Sequence, residues 1–285
     1  MKKLVLSTLA IITLMLTTQM NAQSDKGLFF SINGGYNFSS ASQNLGSNST
    51  FTTSSIATTS STELVSGSFG KGLNFGGAIG YMFNKNIGAE LGINYLIGGE
   101  TKNSDITNSP NNITNDETKY SSKMLQFRPT IILTAGMDKI NPYAKFGMLI
   151  GSGSFNISDN STESSTFGNT TTTETKEKAY KYDGDLAVGF QSALGLSYNV
   201  NEKIAIFGEL NLVNLSYAPS KRSLTTDTKN GVDKLPTRSI KETQTEYVDS
   251  YNTSEAIPAT SSNKDLKRYF AFSSFGINFG LKYSL

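Results

Sequence analysis

The sequence predicts an all-β chain whose eight antiparallel strands close into a transmembrane barrel with short turns at one rim and four long loops at the other. Three observations predict it. An export segment opens the chain. Large apolar residues then alternate with small or polar ones at the strand period. Finally, the connections between these runs are short and long by turns.

The export segment comes first. Lys2 and Lys3 give a positive start, residues 4–16 are mostly apolar, and Met20-Asn21-Ala22 ends in a small residue suited to a signal peptidase. Cleavage is expected after Ala22, leaving a signal peptide at 1–22 and a single barrel domain at 23–285. The apolar run is shorter than the ~20 residues a helix needs to cross a bilayer. Mean hydropathy is −0.27, which does not exclude a membrane barrel, because only alternate strand residues touch lipid.

The first strand is expected at 27–38, with Leu28, Phe30, Ile32, Tyr36 and Phe38 on one face and Ser31, Asn33, Gly35 and Asn37 on the other. Runs at 72–83 and 87–98 repeat the pattern; in the latter, Ile87, Leu91, Ile93 and Tyr95 oppose Gly88, Glu90, Gly92 and Asn94. Runs follow at 123–135, 142–151, 185–200 and 204–217, where parity slips at Val213-Asn214 through a bulge or the strand's departure from the membrane. The last run, 269–285, sets Phe275, Ile277, Phe279, Leu281, Tyr283 and Leu285 against Ser274, Gly276, Asn278, Gly280 and Lys282.

The turns at 84–86, 136–141 and 201–203 are short, whereas 39–71, 99–122, 152–184 and 218–268 are long and rich in Ser, Thr and Asn. Segments of that composition can bury little apolar area. The longest, 218–268, is the expected seat of surface recognition, with Tyr247 and Tyr251 as aromatic anchors. The face opposite the apolar one is mostly Gly, Ala, Asn and Ser, which suits a narrow, filled barrel interior. Aromatic residues gather near both strand ends: Tyr81, Phe83, Tyr198 and Tyr283 at the short turns, Tyr36, Phe38, Tyr95 and Phe127 at the long loops. A soluble secreted all-β protein is the alternative fold.

The terminal octapeptide, with Asn278, Gly280, Tyr283 and Leu285 in the spacing polar, any, Gly, two others, aromatic, any, hydrophobic, resembles the assembly signal of outer-membrane barrels. Leu285 stands where that signal usually carries an aromatic. The chain as a whole resembles the small outer-membrane barrels of the OmpA/OmpX/OmpW type without a periplasmic domain. Its strand ends and Asn-Ala-Gln cleavage region are similar to Bacteroidetes-type versions. The resemblance implies an outer-membrane location in a Gram-negative bacterium, lipid and lipopolysaccharide as surroundings, and the barrel-assembly machinery as a partner. It also implies a lumen held by ion pairs, for which the inward charges are Glu90, Arg128, Lys145, Glu209 and Lys282. Basic residues at the long-loop rim, Lys71, Lys123, Lys181, Lys221, Arg222, Lys267 and Arg268, are candidates for lipopolysaccharide phosphates.

Composition narrows function further. The chain has no Cys and no His, so it lacks thiolate ligands and the commonest general base; enzymatic outer-membrane barrels rely on His. Removing Lys2 and Lys3 cancels the formal +2, leaving no basic field for nucleic acid. No catalytic constellation, cofactor motif or metal-ligand spacing is expected. A structural or surface-contact role with an unknown surface ligand follows, and a conduit for small apolar molecules is the alternative. A greasy tunnel would require more inward apolar residues than Phe29, Met82, Leu96, Leu149 and Phe272.

Overall fold

A computed structural model describes residues 27–252 and 256–285; the predicted signal peptide and its cleavage point lie outside them. Numbered along the chain, β1 (Gly27–Ser39), β4 (Gly72–Met82), β5 (Ile87–Gly98), β7 (Asn112–Thr134), β8 (Ile140–Phe167), β10 (Ala187–Asn199), β11 (Ile204–Asn214) and β18 (Ser274–Ser284) follow the eight predicted runs. Each pairs antiparallel with the next, and β18 returns to β1, Phe29 facing Ser284 and Ser39 facing Ser274. The cycle leaves no open edge within it. The parity slip at Val213-Asn214 marks where β11 leaves the cycle. No register shift interrupts its pairing with β10 or β18, so it is not a bulge.

Alternation is realised as two faces. Outward residues such as Leu194 and Phe279 are 68 % and 66 % exposed, while inward Asn74, Asn94, Gln126 and Arg128 are buried. A continuous belt of exposed Leu, Ile and Phe suits hydrocarbon and not water. Aromatic pairs mark its two ends: Tyr81 with Phe83 at 5.7 Å, and Tyr36 with Phe38 at 5.1 Å. At the short turns, Asn84 and Asn201 each accept two backbone N–H bonds, from Asn86 and Ile87 and from Lys203 and Ile204. An Asn carbonyl imitating a backbone acceptor is what allows so tight a reversal.

Among the described residues, the long segments carry strands of their own. Segment 39–71 holds β2 (Gln43–Thr53) and β3 (Thr58–Gly67). Segment 99–122 holds β6 (Thr101–Ser109) and the first half of β7. Segment 152–184 holds the far half of β8 and β9 (Thr170–Asp183). The longest segment holds β13 (Lys221–Lys229), β14 (Val232–Asp233), a one-turn helix at Ile240–Thr243, β15 (Gln244–Val248) and β16 (Asn263–Leu266). Two short strands, β12 (Ser216–Tyr217) and β17 (Phe270–Ala271), pair beside the ring.

The physical reason is that the ring strands have already fixed register, so each further cross-strand pair adds hydrogen bonds without a new closure cost. Threonine, β-branched, favours such an extension. The parallel pair β2–β6 and the antiparallel pair β9–β13 link neighbouring segments into projecting sheets, and β15 pairs parallel with β16 within the longest segment.

Candidate functional site: a lumen closed at two levels

Inside the ring, three layers follow one another from the short-turn end. The first is an open vestibule of about 720 Å³, walled by Phe29, Met82, Tyr143, Phe207 and Lys282 and floored by Glu90 and Lys145. Glycines on adjoining strands make room for its rings: a Cβ at Gly195 would sit 2.2 Å from Tyr143, and one at Gly280 would sit 2.3 Å from Phe207.

The second layer is a polar belt. Lys145, on β8, places its Nζ 3.0 Å from Glu90 Oε1 of β5 and 3.3 Å from Glu209 Oε2 of β11. One ammonium thus bridges two carboxylates on strands that do not pair with each other. Glu209 is held further by the Tyr143 hydroxyl, which donates at 3.1 Å, and by Asn278 Nδ2 at 3.4 Å. Arg128 donates to Gln126 Oε1, and Gln191 Nε2 donates to Thr130 Oγ1 at 2.7 Å. Asn94 donates to Asn33 at 2.8 Å over Gly76 of β4, the residue that pairs with both. Four of the five predicted inward charges therefore gather here. Lys282 stands apart in the vestibule, its ammonium 5.3 Å above the Phe29 ring.

The third layer is apolar. Phe69, Leu96, Met124, Leu149, Phe155, Tyr182, Tyr217, Tyr247 and Phe272 are buried in one cluster where the projections leave the ring. Phe155 is its hub, with ring centroids 4.4 Å from Phe69, 4.5 Å from Tyr182 and 4.5 Å from Phe270. Leu96, Leu149 and Phe272 were legible as inward apolar residues. Phe69, Phe155, Tyr182 and Tyr247 were not, because they lie in segments that read as loops. Tyr247, expected as a surface anchor, is buried at 5 % exposure, stacked 6.4 Å from Tyr182. That expectation is corrected. Tyr251 remains exposed.

Two residues of the terminal motif have places in the lumen: Asn278 in the belt and Gly280 beneath Phe207. Tyr283 and Leu285 are exposed on the outer side. Tyr143, Gln126 and Gln191 belong to the belt as well; their inward parity on β8, β7 and β10 was the available signal.

The rim basics divide. Lys123 faces Ile97 and Ser154 across the sheet, and Lys221 faces Asp183. With Lys181 these lie on the outward face, since directly paired residues share a side. Asp183 takes both Lys181, at 2.6 Å, and Lys221, at 3.5 Å. Arg222 turns inward instead, over the Tyr180 ring at 5.1 Å and onto Thr245. Lys267 pairs with Asp249 and Arg268 with Asp265. Lys71 adjoins the start of β4, its carbonyl accepting from Gly99 N–H at 2.8 Å. No group of metal-ligating side chains occurs among the described residues.

The family profile described as "Outer membrane protein beta-barrel domain" matches residues 8–234. The chain belongs to this family. Similar solved structures include Neisserial surface protein A, at 8% identity with 91% of this chain and 97% of that chain covered and a TM-score of 0.39. Another is CarO2 of Acinetobacter baumannii, at 12% identity, 90% and 99% coverage and a TM-score of 0.31. A third is the outer membrane protease OmpT of Escherichia coli, at 11% identity, 92% and 95% coverage and a TM-score of 0.21. No curated protein matches the chain.

Proposed function

We propose that the eight ring strands form a transmembrane barrel of a Gram-negative outer membrane, with the short turns in the periplasm and the four projections outside. The barrel is non-enzymatic and serves envelope structure and contact at the cell surface. One observation carries this reading: the lumen is filled at two levels, while the polar chain outside it is built into sheets. The nine named residues of the apolar layer line none of the three cavities of about 720, 410 and 30 Å³. The inward apolar residues are thus packed against one another as a core, and not arranged around a conduit.

The surface-contact half of the proposal rests on the projections. In β3 every residue from Thr58 to Glu63 is exposed, and its outer edge is unpaired among the described residues. Lys71, Lys123, Lys181 and Lys221 at the rim are proposed to meet lipopolysaccharide phosphates, using charge-assisted hydrogen bonds. Export through the signal peptide at 1–22 and insertion by the barrel-assembly machinery complete the reading. The experiment is single-channel recording of the purified chain in planar bilayers, alongside cell-surface labelling of a cysteine placed at Ile56. Surface labelling with no stable conductance is the expected result. Large, steady conductance would overturn the structural half, and labelling only after lysis would overturn the orientation.

A further inference from the structure

The inward charges do not cancel. Against Glu90 and Glu209 stand Lys145, Arg128 and Lys282, so the lumen wall carries one cation in excess. Lys145 is engaged by both carboxylates. Arg128 is buried beside Gln126, close to the same pair. Arg128 and Lys282 both stand outside the ion pairs among the described residues, and of the two it is Lys282 that faces the vestibule.

Its surroundings are specific. Lys282 pairs with Ser31 of β1 and Ala205 of β11. Two residues along those strands, on the same inward side, stand Phe29 and Phe207. The Lys282 ammonium lies 5.3 Å from the Phe29 ring, and Phe207, packed over Gly280 with the Lys145 ammonium 5.5 Å from its ring, lines the same chamber of about 720 Å³. That size lies within the range of small-molecule sites, and besides its rings the chamber is lined by Lys85, Lys145, Lys203 and Lys282 against Glu90, Asp138 and Glu202, one cation in excess. A partly desolvated cation without a counter-charge is costly, so an entering anion is favoured.

We propose that the vestibule is a binding site for a small organic monocarboxylate. Its carboxylate accepts from Lys282 Nζ, and its apolar body lies between Phe29 and Phe207. The assignment needs only the ring and its inner face, and stands whichever rim faces the cell exterior.

The test uses the full chain in lipid nanodiscs, with benzoate as the probe and benzamide and benzylamine as neutral and cationic comparisons, followed by calorimetry. Benzoate is expected to bind at one site per chain and about tenfold more tightly than benzamide, the difference a charged hydrogen-bond partner supplies. Lys282→Gln should weaken benzoate by about the same factor and leave benzamide unchanged, and Lys282→Arg should retain binding. Heat-modifiable gel migration reports whether each variant is folded. Because the benzoate–benzamide comparison needs no variant, it decides the matter even if Lys282→Gln does not fold. Equal affinity for benzoate and benzamide, binding of benzylamine as tight as benzoate, absence of saturable benzoate binding, or unchanged affinity in folded Lys282→Gln would each overturn the proposal.

Discussion

At the residue scale, Lys145 is the side chain whose loss has the clearest consequence. Lys145→Met leaves Glu90 and Glu209 facing the lumen with their shared cation gone. Breaking a buried pair by removing one partner costs about 3–5 kcal/mol. The expected outcome is a lower urea midpoint for the detergent-folded protein, largely restored in the triple variant that adds Glu90→Gln and Glu209→Gln. An unchanged midpoint in Lys145→Met would show the bridge to be energetically idle. Gly280 offers a second residue-level prediction. A methyl there meets the Ile32 backbone carbonyl at 2.2 Å as well as the Phe207 ring at 2.3 Å, and overpacking of this kind costs about 1–3 kcal/mol. Gly280→Ala should therefore lower the urea midpoint, and Phe207→Leu should relieve only the part due to the ring; an unchanged midpoint in Gly280→Ala would show that the strands shift to admit the methyl.

At the scale of elements, the projections are unequal. Joining Ser220 to Lys267 by a short linker removes Leu224 and Tyr247, both buried, so thermal stability should fall, although trimming the exposed tip of the β2–β3 hairpin should leave it unchanged. Gel-shift melting curves of the two deletions make the comparison. Acid should loosen the projections as well. A hydrogen bond from Lys119 holds Glu117 below the usual carboxylate range, Lys176 and Lys229 do so for Glu174, and the Ser239 amide and hydroxyl with Arg238 do so for Glu242. A lowered folded pKa means stability that is present above the ordinary value of about 4.5 and lost as pH falls through the lower folded one. Hydrogen exchange at pH 7 and below pH 4 should show protection falling at β9, β13 and the one-turn helix first.

These projections were also where the sequence was least legible. Ring strands were readable because burial on one side imposes a strict period of two. Projecting strands are wet on both faces, so their period carries little apolar signal. One mark was available: Asn230-Gly231, both in left-handed backbone at φ 52° and 74°, is a two-residue hairpin turn joining Lys229 to Val232. The belt was legible as a set of inward charges, but which cation would hold which carboxylate depends on the stagger between strands, and the sequence does not display it.

At the scale of the whole molecule, the outward apolar face and the filled lumen demand opposite surroundings, lipid outside and packed side chains within. Purified in detergent, the chain should give a β-type circular dichroism spectrum and migrate differently before and after boiling. A spectrum dominated by helix, or full recovery in the aqueous fraction of cells, would contradict this.

The pairing of β18 with β1 also sets a timetable. Of the eight ring strands, the one made last seals against the one made first, so no chain still lacking β18 can hold the native closure. Throughout synthesis and export, seven strands' worth of alternating Leu, Ile and Phe must wait in water with open edges, the condition under which chains stick to one another. The time spent waiting, more than the stability finally reached, then governs how much of this protein arrives, and an escort that binds extended apolar chain would be of most use in that interval.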